Sequence, residues 1–300
     1  MLSSESKKGS VFGTQTTPLV VFGEVLYDCF PGDERVLGGA PFNVAWGLKG
    51  FGHEPLLISA VGDDAAGASI SQRMKHWGLL TEGLQKHQAY ATGEVQVTIE
   101  ADEPSYEICE GRAWDFIADH GWAATGLIYH GSLALRSETS RRCFENIVAR
   151  SEAKRFFDIN LRPPYDSMDL IQHWVRGVDW LKLNIDELGA LVGDRSIEFE
   201  NSLSAIETLR AEYQVPNVLL TGGRRGARIV GEVGQAVCSP APEPQPFVDT
   251  VGAGDAFSAY TIHGILRGLP VETIIEQASR FAAKVCGLQG ATTNEQTFYQ

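Results

Sequence analysis

Asp249-Thr250-Val251-Gly252-Ala253-Gly254-Asp255 sets two glycines and a carboxylate at the mouth of an amphipathic stretch. Ala256 to Gly268 reads as a helix, with Phe257, Ala259, Tyr260, Ile262, Ile265 and Leu266 as its apolar stripe and Gly268-Leu269-Pro270 as its stop. Phe247-Val248 reads as the end of a preceding strand. The first amides of a helix have no partner of their own, and glycines let an anion come close to them. A carboxylate beside such an anion hole can take the proton of an attacking hydroxyl. That arrangement suits phosphoryl transfer to an alcohol. The plainer reading of the same residues is a turn followed by an N-terminal acid that the helix dipole favours.

Other polar groups stand at the ends of apolar runs. Gly38-Gly39-Ala40-Pro41-Phe42-Asn43 precedes the first long helix. Paired glycines allow a backbone to approach a ligand, and Asn43 offers a donor and an acceptor to a hydroxyl. A glycine turn with Asn43 as helix cap explains the same string more plainly. Asp158-Ile159-Asn160-Leu161-Arg162 leaves a strand end, where open α/β sheets bind ligands. Asn184-Ile185-Asp186-Glu187 follows the run Trp180–Leu183 and fits a capping box as well as a binding site. Thr221-Gly222-Gly223-Arg224-Arg225-Gly226 is neither a Walker A loop nor a dinucleotide fingerprint, and taken alone is a hairpin turn.

The elements that must hold these groups alternate. Leu19–Phe22, Leu56–Val61, Leu127–His130, Phe156–Ile159, Trp180–Leu183 and Val218–Thr221 are short continuous apolar runs. Helix-period stretches lie near Asn43–Gly52, Ala66–Gly78, Ser137–Arg150, Ile185–Val192, Ser202–Tyr213 and Val271–Leu288. Continuous apolar strands between helices predict a three-layer α/β/α fold around a mostly parallel sheet. Thr92–Ile108 breaks the rhythm: Val95, Val97 and Ile99 alternate with polar residues, and Tyr106 and Ile108 resume the alternation after Asp102-Glu103-Pro104. Period two predicts an antiparallel hairpin, either at the edge of the main sheet or in a small β lid with strands from Glu24–Leu37.

Three hundred residues with a net charge of −13 suit a large α/β unit and disfavour nucleic acid or anionic membrane as partner. Cys29, Cys109, Cys143, Cys238 and Cys286 are scattered, which reads as reduced thiols in a cytoplasmic setting. Residues 1–18 read as a flexible lead-in rather than a signal peptide, and no apolar run approaches the ~20 residues of a membrane span. One unit is expected over 19–300, with the lid from about 24–37 and 89–112. His130, His53 and the six tryptophans are expected to be structural.

The motif order resembles the ribokinase-like (PfkB-type) carbohydrate kinases, fructokinase-like members in particular, over Leu19 to Ala291. The resemblance implies ATP-dependent phosphorylation of a sugar hydroxymethyl group. It makes Asp255 the base, Gly252, Ala253 and Gly254 the anion hole, and Arg162 a charge on the transferring phosphoryl group. Asp28, Gly39, Asn43 and Asn160 would bind the sugar. Asn184, Glu187, Thr221, Gly223 and Gly226 would serve ATP, with Glu187 approaching Mg2+ through water. Asp249 would be the side-chain ligand of a monovalent cation such as K+, and Gly290-Ala291 would pack beside the adenine. The resemblance also implies a lid able to pair with a second copy, hence a homodimer.

The acceptor itself can be narrowed from charge. A phosphosugar would need cations in the lid. Ala89–Arg112 carries one Arg and no Lys against Glu94, Glu100, Asp102, Glu103, Glu107 and Glu110. A neutral sugar is therefore expected; the resemblance of Gly38–Asn43 and Asn160-Leu161-Arg162 to fructokinases puts fructose first, with ribose or a nucleoside as alternatives. A non-catalytic sugar-binding regulator is the alternative of a different class. A dinucleotide-dependent oxidoreductase is disfavoured by the lack of a Gly-x-Gly-x-x-Gly turn after the first strand.

Overall fold

Leu19, Val20, Val21 and Phe22 feed two cores in alternation. Val20 and Phe22 point to one side of the sheet, Leu19 and Val21 to the other. Side chains of a strand alternate between faces, so a run that is apolar throughout must be covered twice. The computed structural model describes residues 14–300 except Asp33, Ala101, Asp102, Asp166 and Ser239. Residues 1–13 of the expected lead-in and Asp102 of the expected hairpin turn lie outside the described residues.

The chain begins with β1 (Gln15–Phe22), β2 (Leu26–Cys29), β3 (Arg35–Gly38), α1 (Ala40–Gly50), β4 (Leu56–Gly62), α2 (Ala65–Trp77) and β5 (Leu84–His87). It continues with β6 (Gly93–Glu100), β7 (Glu103–Ile108), β8 (Trp122–Gly131), α3 (Glu138–Arg150), β9 (Lys154–Asp158) and α4 (Met168–Val175). The last third holds β10 (Trp180–Asn184), α5 (Ile185–Val192), α6 (Leu203–Tyr213), β11 (Asn217–Thr221), β12 (Ala227–Gly231), β13 (Gly234–Cys238), α7 (Ala253–Leu266) and α8 (Val271–Val285).

Nine strands form one sheet in the order β13-β12-β11-β10-β9-β8-β1-β4-β5. From β11 to β5 every pairing is parallel, and β12 and β13 are added antiparallel at one edge. Phe144, Trp174, Leu188 and Ile206 from α3 to α6 cover one face; Phe42, Met74, Phe257 and Ile274 from α1, α2, α7 and α8 cover the other. The three-layer α/β/α fold is thus present. Register aligns the carboxyl ends of the strands: Phe22 with His130, Gly131 with Asp158, Asp158 with Lys182, and Asn184 with Thr221.

The period-two segment belongs to a second sheet, ordered β3-β2-β6-β7, and not to an edge of the first. This sheet is mixed rather than purely antiparallel, because β2 and β6 pair in parallel between two antiparallel pairs. The parallel pair arises because each strand leaves the main body in the same direction, β2 after β1 and β6 after β5. Asp64 caps α2 through the Gly67 amide and also takes the Thr92 amide at 2.8 Å and its hydroxyl at 2.6 Å, which fastens the foot of β6.

Several boundaries differ from expectation. β1 starts at Gln15, so residues 15–18 of the expected lead-in are strand, held by pairing with Trp122–Ala124. Phe247-Val248 is an exposed loop and not a strand, and the Val248 amide donates to the Cys286 carbonyl. α7 begins at Ala253, ahead of the expected Ala256, and α8 ends at Val285, short of Leu288.

Candidate active site

Gly252 is the N-cap of α7, with φ of 76°. A Cβ built on it would lie 2.2 Å from that of Ala291, so both the backbone angle and the close approach require glycine. No side chain caps the first amides; the Ala253 amide turns back on the Thr250 carbonyl at 3.2 Å, so an anion at this helix start would meet the neighbouring glycine amides first. Asp255 sits inside the first turn, half-buried, and accepts a hydrogen bond from Asn43 Nδ2 at 2.8 Å. Burial pushes the Asp255 carboxyl above its ordinary value; the Asn43 bond pulls it back, Asp158 adds to the rise, and Lys182 and Arg162 oppose it. A raised carboxyl is a better base for an alcohol proton.

Asn43 reaches Asp255 because Gly39, not Asn43, caps α1. Gly39 has φ of 105°, and a Cβ there would lie 2.6 Å from the Glu24 carbonyl. The two chain segments that lead into and out of the lid thus touch backbone to backbone. Asp28 lies on β2, with burial raising its carboxyl to about 6 while Arg162 lowers it and Asp255 raises it. Glu24 is buried in the entry segment, and burial pushes it up to about 7, with Asp255, Arg162 and Arg136 within electrostatic reach. Its Oε2 has no hydrogen-bond partner. Three carboxyls and Arg162 therefore surround one space between sheet and lid.

Beneath the helix start lies a buried pair. Lys182 Nζ is 2.8 Å from Asp158 Oδ1, and Asp158 Oδ2 accepts from Ser258 Oγ at 2.6 Å and Tyr129 Oη at 3.2 Å. Ser258 also bonds the Gly254 carbonyl at 3.1 Å. A Cβ built on Gly254 would be 3.2 Å from Lys182 Nζ. Burial alone would lower the Lys182 ammonium, but the charges of Asp158 and Glu187 hold it above its ordinary value. A permanent cation thus underlies the anion hole.

Asn184 and Glu187 form the capping box in full. Asn184 Oδ1 accepts the Glu187 amide at 2.9 Å, and Glu187 Oε2 accepts the Asn184 amide at 2.7 Å. Glu187 Oε1 takes the Leu161 amide at 3.2 Å, tying this helix to the Asn160–Arg162 loop. Burial raises Glu187 to about 7 against the pull of Lys182. Each of its oxygens keeps a lone pair, which suits a contact to hydrated Mg2+ better than direct ligation. Thr221 adjoins Asn184 in register, and Gly223 and Gly226 form the turn between β11 and β12, both at positive φ. Asn160 is held by its carbonyl, which accepts from Ser132 Oγ at 2.9 Å. Asp249 Oδ1 accepts the Val251 amide at 2.7 Å, and its own amide donates to the Cys286 carbonyl.

A family model for the pfkB family carbohydrate kinases matches residues 17–297. The chain belongs to that family. It is a sugar kinase, a phosphotransferase with an alcohol as acceptor. A fructokinase of Klebsiella pneumoniae is 30% identical over 294 residues, covering 91% of this chain and 92% of the relative. Two solved structures share the fold. The aminoimidazole riboside kinase of Salmonella enterica, complexed with aminoimidazole riboside and an ATP analogue, superposes with a TM-score of 0.79 at 22% identity, covering 95% of this chain and 100% of that one. The fructokinase of Vibrio cholerae O395, in its fructose, ADP and calcium ion bound form, gives 0.74 at 22%, covering 92% and 94%.

Within this pfkB-family kinase, sequence reasoning overlooked three groups. Lys182 lies in the apolar run Trp180–Leu183, where a lone cation in a central strand already signals a buried partner. Arg162 is therefore not the sole cation near the helix start. Glu24 interrupts a similar run between Gly23 and Val25, and Asp158 was read only as part of a loop motif. The lid also holds a cation beyond the one in Ala89–Arg112: Arg35 on β3 lies 3.5 Å from Glu94, which also pairs with Arg112 at 3.2 Å.

Proposed function

We propose that this kinase moves the terminal phosphoryl group of ATP to a hydroxymethyl group of a neutral monosaccharide, with fructose as the acceptor. The observation that carries the reading is the half-buried Asp255, held by Asn43 in the first turn of a helix whose opening amides have no cap. In this reading Asp255 orients the acceptor hydroxyl and takes its proton late, since a loose transition state needs little activation of the nucleophile. The amides of Gly252, Ala253 and Gly254 meet the negative charge of the transferring group. Arg162 adds charge from the loop side, and Lys182 adds it from below. Asp28, Gly39, Asn43 and Asn160 hold the sugar; Asn184, Thr221, Gly223 and Gly226 line the nucleotide. Glu187 would hold Mg2+ through water, and the ion, when bound, supplies neutralisation of the ATP phosphates. Asp249, with one oxygen still open, would join backbone carbonyls around K+.

The catalytic unit in this proposal runs from β1 to the C-terminal turn, with β2, β3, β6 and β7 as the lid over the sugar. The outer edges of the lid sheet, β3 and β7, offer unpaired backbone to a second copy, which favours a homodimer. Neutrality of the acceptor follows from charge. Arg35 and Arg112 share Glu94, and the other lid carboxylates, Glu100, Asp102, Glu103, Glu107 and Glu110, outnumber them, so the lid carries no net positive charge for a sugar phosphate. ADP release measured over fructose, ribose, glucose, adenosine and fructose 6-phosphate tests the reading. Fructose is expected to give the highest kcat/KM and fructose 6-phosphate the lowest. A preference for fructose 6-phosphate, or no ADP with any acceptor, would overturn it.

A further inference from the structure

Arg136 lies between two aromatic faces, 4.2 Å over Trp114 and 4.3 Å over Tyr165. Its Nε and Nη2 grip Asp115 at 2.9 and 3.0 Å, and Nη2 also donates to the Cys109 carbonyl at 3.1 Å. Tyr165 Oη donates to the Ile108 carbonyl at 2.9 Å. Ile108 ends β7 and Cys109 follows it, so two donors from outside the lid seize the exit of one lid strand.

Those donors are joined to the reaction space by a short path. Tyr165 stands on the loop after β9 that carries Asn160 and Arg162, and its amide donates to the Arg162 carbonyl at 2.8 Å. The loop's opening residues are held by the main body, through the Asn160 carbonyl on Ser132 and the Leu161 amide on Glu187. Arg162, Pro163 and Pro164 are exposed. The far end of the turn is fixed by Tyr165, whose grip is on the lid.

We propose that Tyr165 is a positioning residue: its hydroxyl on β7 and its ring on Arg136 set the turn that aims Arg162 at the acceptor carboxyls, and they do so only when the lid is seated. The inference rests on the proposed role of Arg162 and adds a residue that acts through it. An aromatic side chain with two torsions transmits position well, because little freedom remains once its ring and its hydroxyl are both engaged. Asp115 already balances the Arg136 charge, so the link to Tyr165 is one of geometry and not of charge neutralisation.

The test is a double-mutant cycle on the full chain, with Tyr165→Phe, Arg162→Ala and the pair. Tyr165→Phe keeps the ring over Arg136 and removes the hydroxyl, with its bond to the Ile108 carbonyl and its contacts to Glu110 and Arg136. Fructose phosphorylation, ATP hydrolysis without sugar, and thermal melting are measured for each. The expected result is a loss of kcat of roughly threefold to tenfold in the wild-type background, the scale of one hydrogen bond, and under about twofold in the Arg162→Ala background. The share of ATP hydrolysed without transfer is expected to rise in Tyr165→Phe. An equal loss in both backgrounds, or a lowered Tm with unchanged kcat, overturns the positioning role alone. Wild-type protein that releases no ADP with any sugar overturns the kinase reading and this one together.

Discussion

Asp255 is half-buried among groups of both signs, and that balance decides its chemistry. Burial raises its carboxyl, while Asn43, Lys182 and Arg162 keep the charged form within reach. Burial makes it a stronger base than an exposed carboxylate, while the Asn43 bond first and then the two cations favour its charged form. Asp255→Asn removes the base and keeps the shape, including a partner for Asn43. It is expected to lower kcat by roughly 10²–10⁴-fold with ATP affinity little changed, read from steady-state ADP release and nucleotide titration. Turnover near the wild-type level would remove Asp255 from the mechanism. Asp255 and Asn43 were both visible in the sequence as polar residues beside glycines. Their contact was not, because 212 positions separate them and only the packing of α1 against α7 brings them together.

The start of α7 owes its openness to what is packed against it. Gly252 adopts φ of 76°, and its would-be Cβ meets Ala291 from the C-terminal turn. Gly252→Ala is expected to lose the backbone term of roughly 1–2 kcal/mol for the left-handed conformation and a further steric term. Adding Ala291→Gly removes the 2.2 Å contact but leaves the Cα of residue 291 at 2.7 Å, so the double variant should regain only part of the steric term and melt between the single variant and the wild type. Melting curves of the three proteins check this; no recovery in the double variant would show that the Ala291 methyl is not the obstacle. The lid is a second case. Its hairpin was legible from period two, since one wet face leaves an alternating pattern. Its partnership with strands from 24–37 was one of two expectations; the parallel sense of its pairing with β2 was not expected, because a parallel partner leaves no turn signal between the two strands.

Two cores on either side of one sheet hold the molecule together, and their ionisable groups set its response to pH. His130 is fully buried, stacked on Phe157 at 4.5 Å and close to Phe144 and Trp174. Burial and the Arg155 charge lower it from 6.5 to about 3, so the folded protein binds fewer protons there than the unfolded chain. Its share of stability is fully present above about pH 6.5 and is lost as pH falls towards 3. Glu24 and Glu187 act with the opposite sign. Raised from 4.5 to about 7, they contribute fully below about pH 4.5 and lose that contribution as pH rises through 7. The two effects overlap, so the difference between two proteins is the clean readout. His130→Phe is expected to lose about 2 kcal/mol less than wild type between pH 6.5 and 5, measured by denaturant unfolding at each pH. Parallel curves would show that His130 takes up its proton over the same pH range folded as unfolded. Among the described residues no helix is long and apolar enough to cross a membrane.

Composition, apolar period and local punctuation were enough to determine the layered α/β architecture, the presence of a hairpin and the glycine-carboxylate helix mouth. Each of these is written in residues that are neighbours along the chain. That the hairpin stands in a sheet of its own was decided by the tertiary structure. The tertiary structure alone decided which side chains meet: Asn43 with Asp255, Lys182 with Asp158, Glu24 with the acceptor space, and Tyr165 with the lid. Lys182 meets Asp158 because parallel pairing aligns their strands across a long crossover, and the other contacts arise where helices and loops distant in sequence pack together; neither register nor packing between distant elements has a local signature. It also decided that Phe247-Val248 is loop, since an apolar pair becomes a strand only where another strand is present to pair with it.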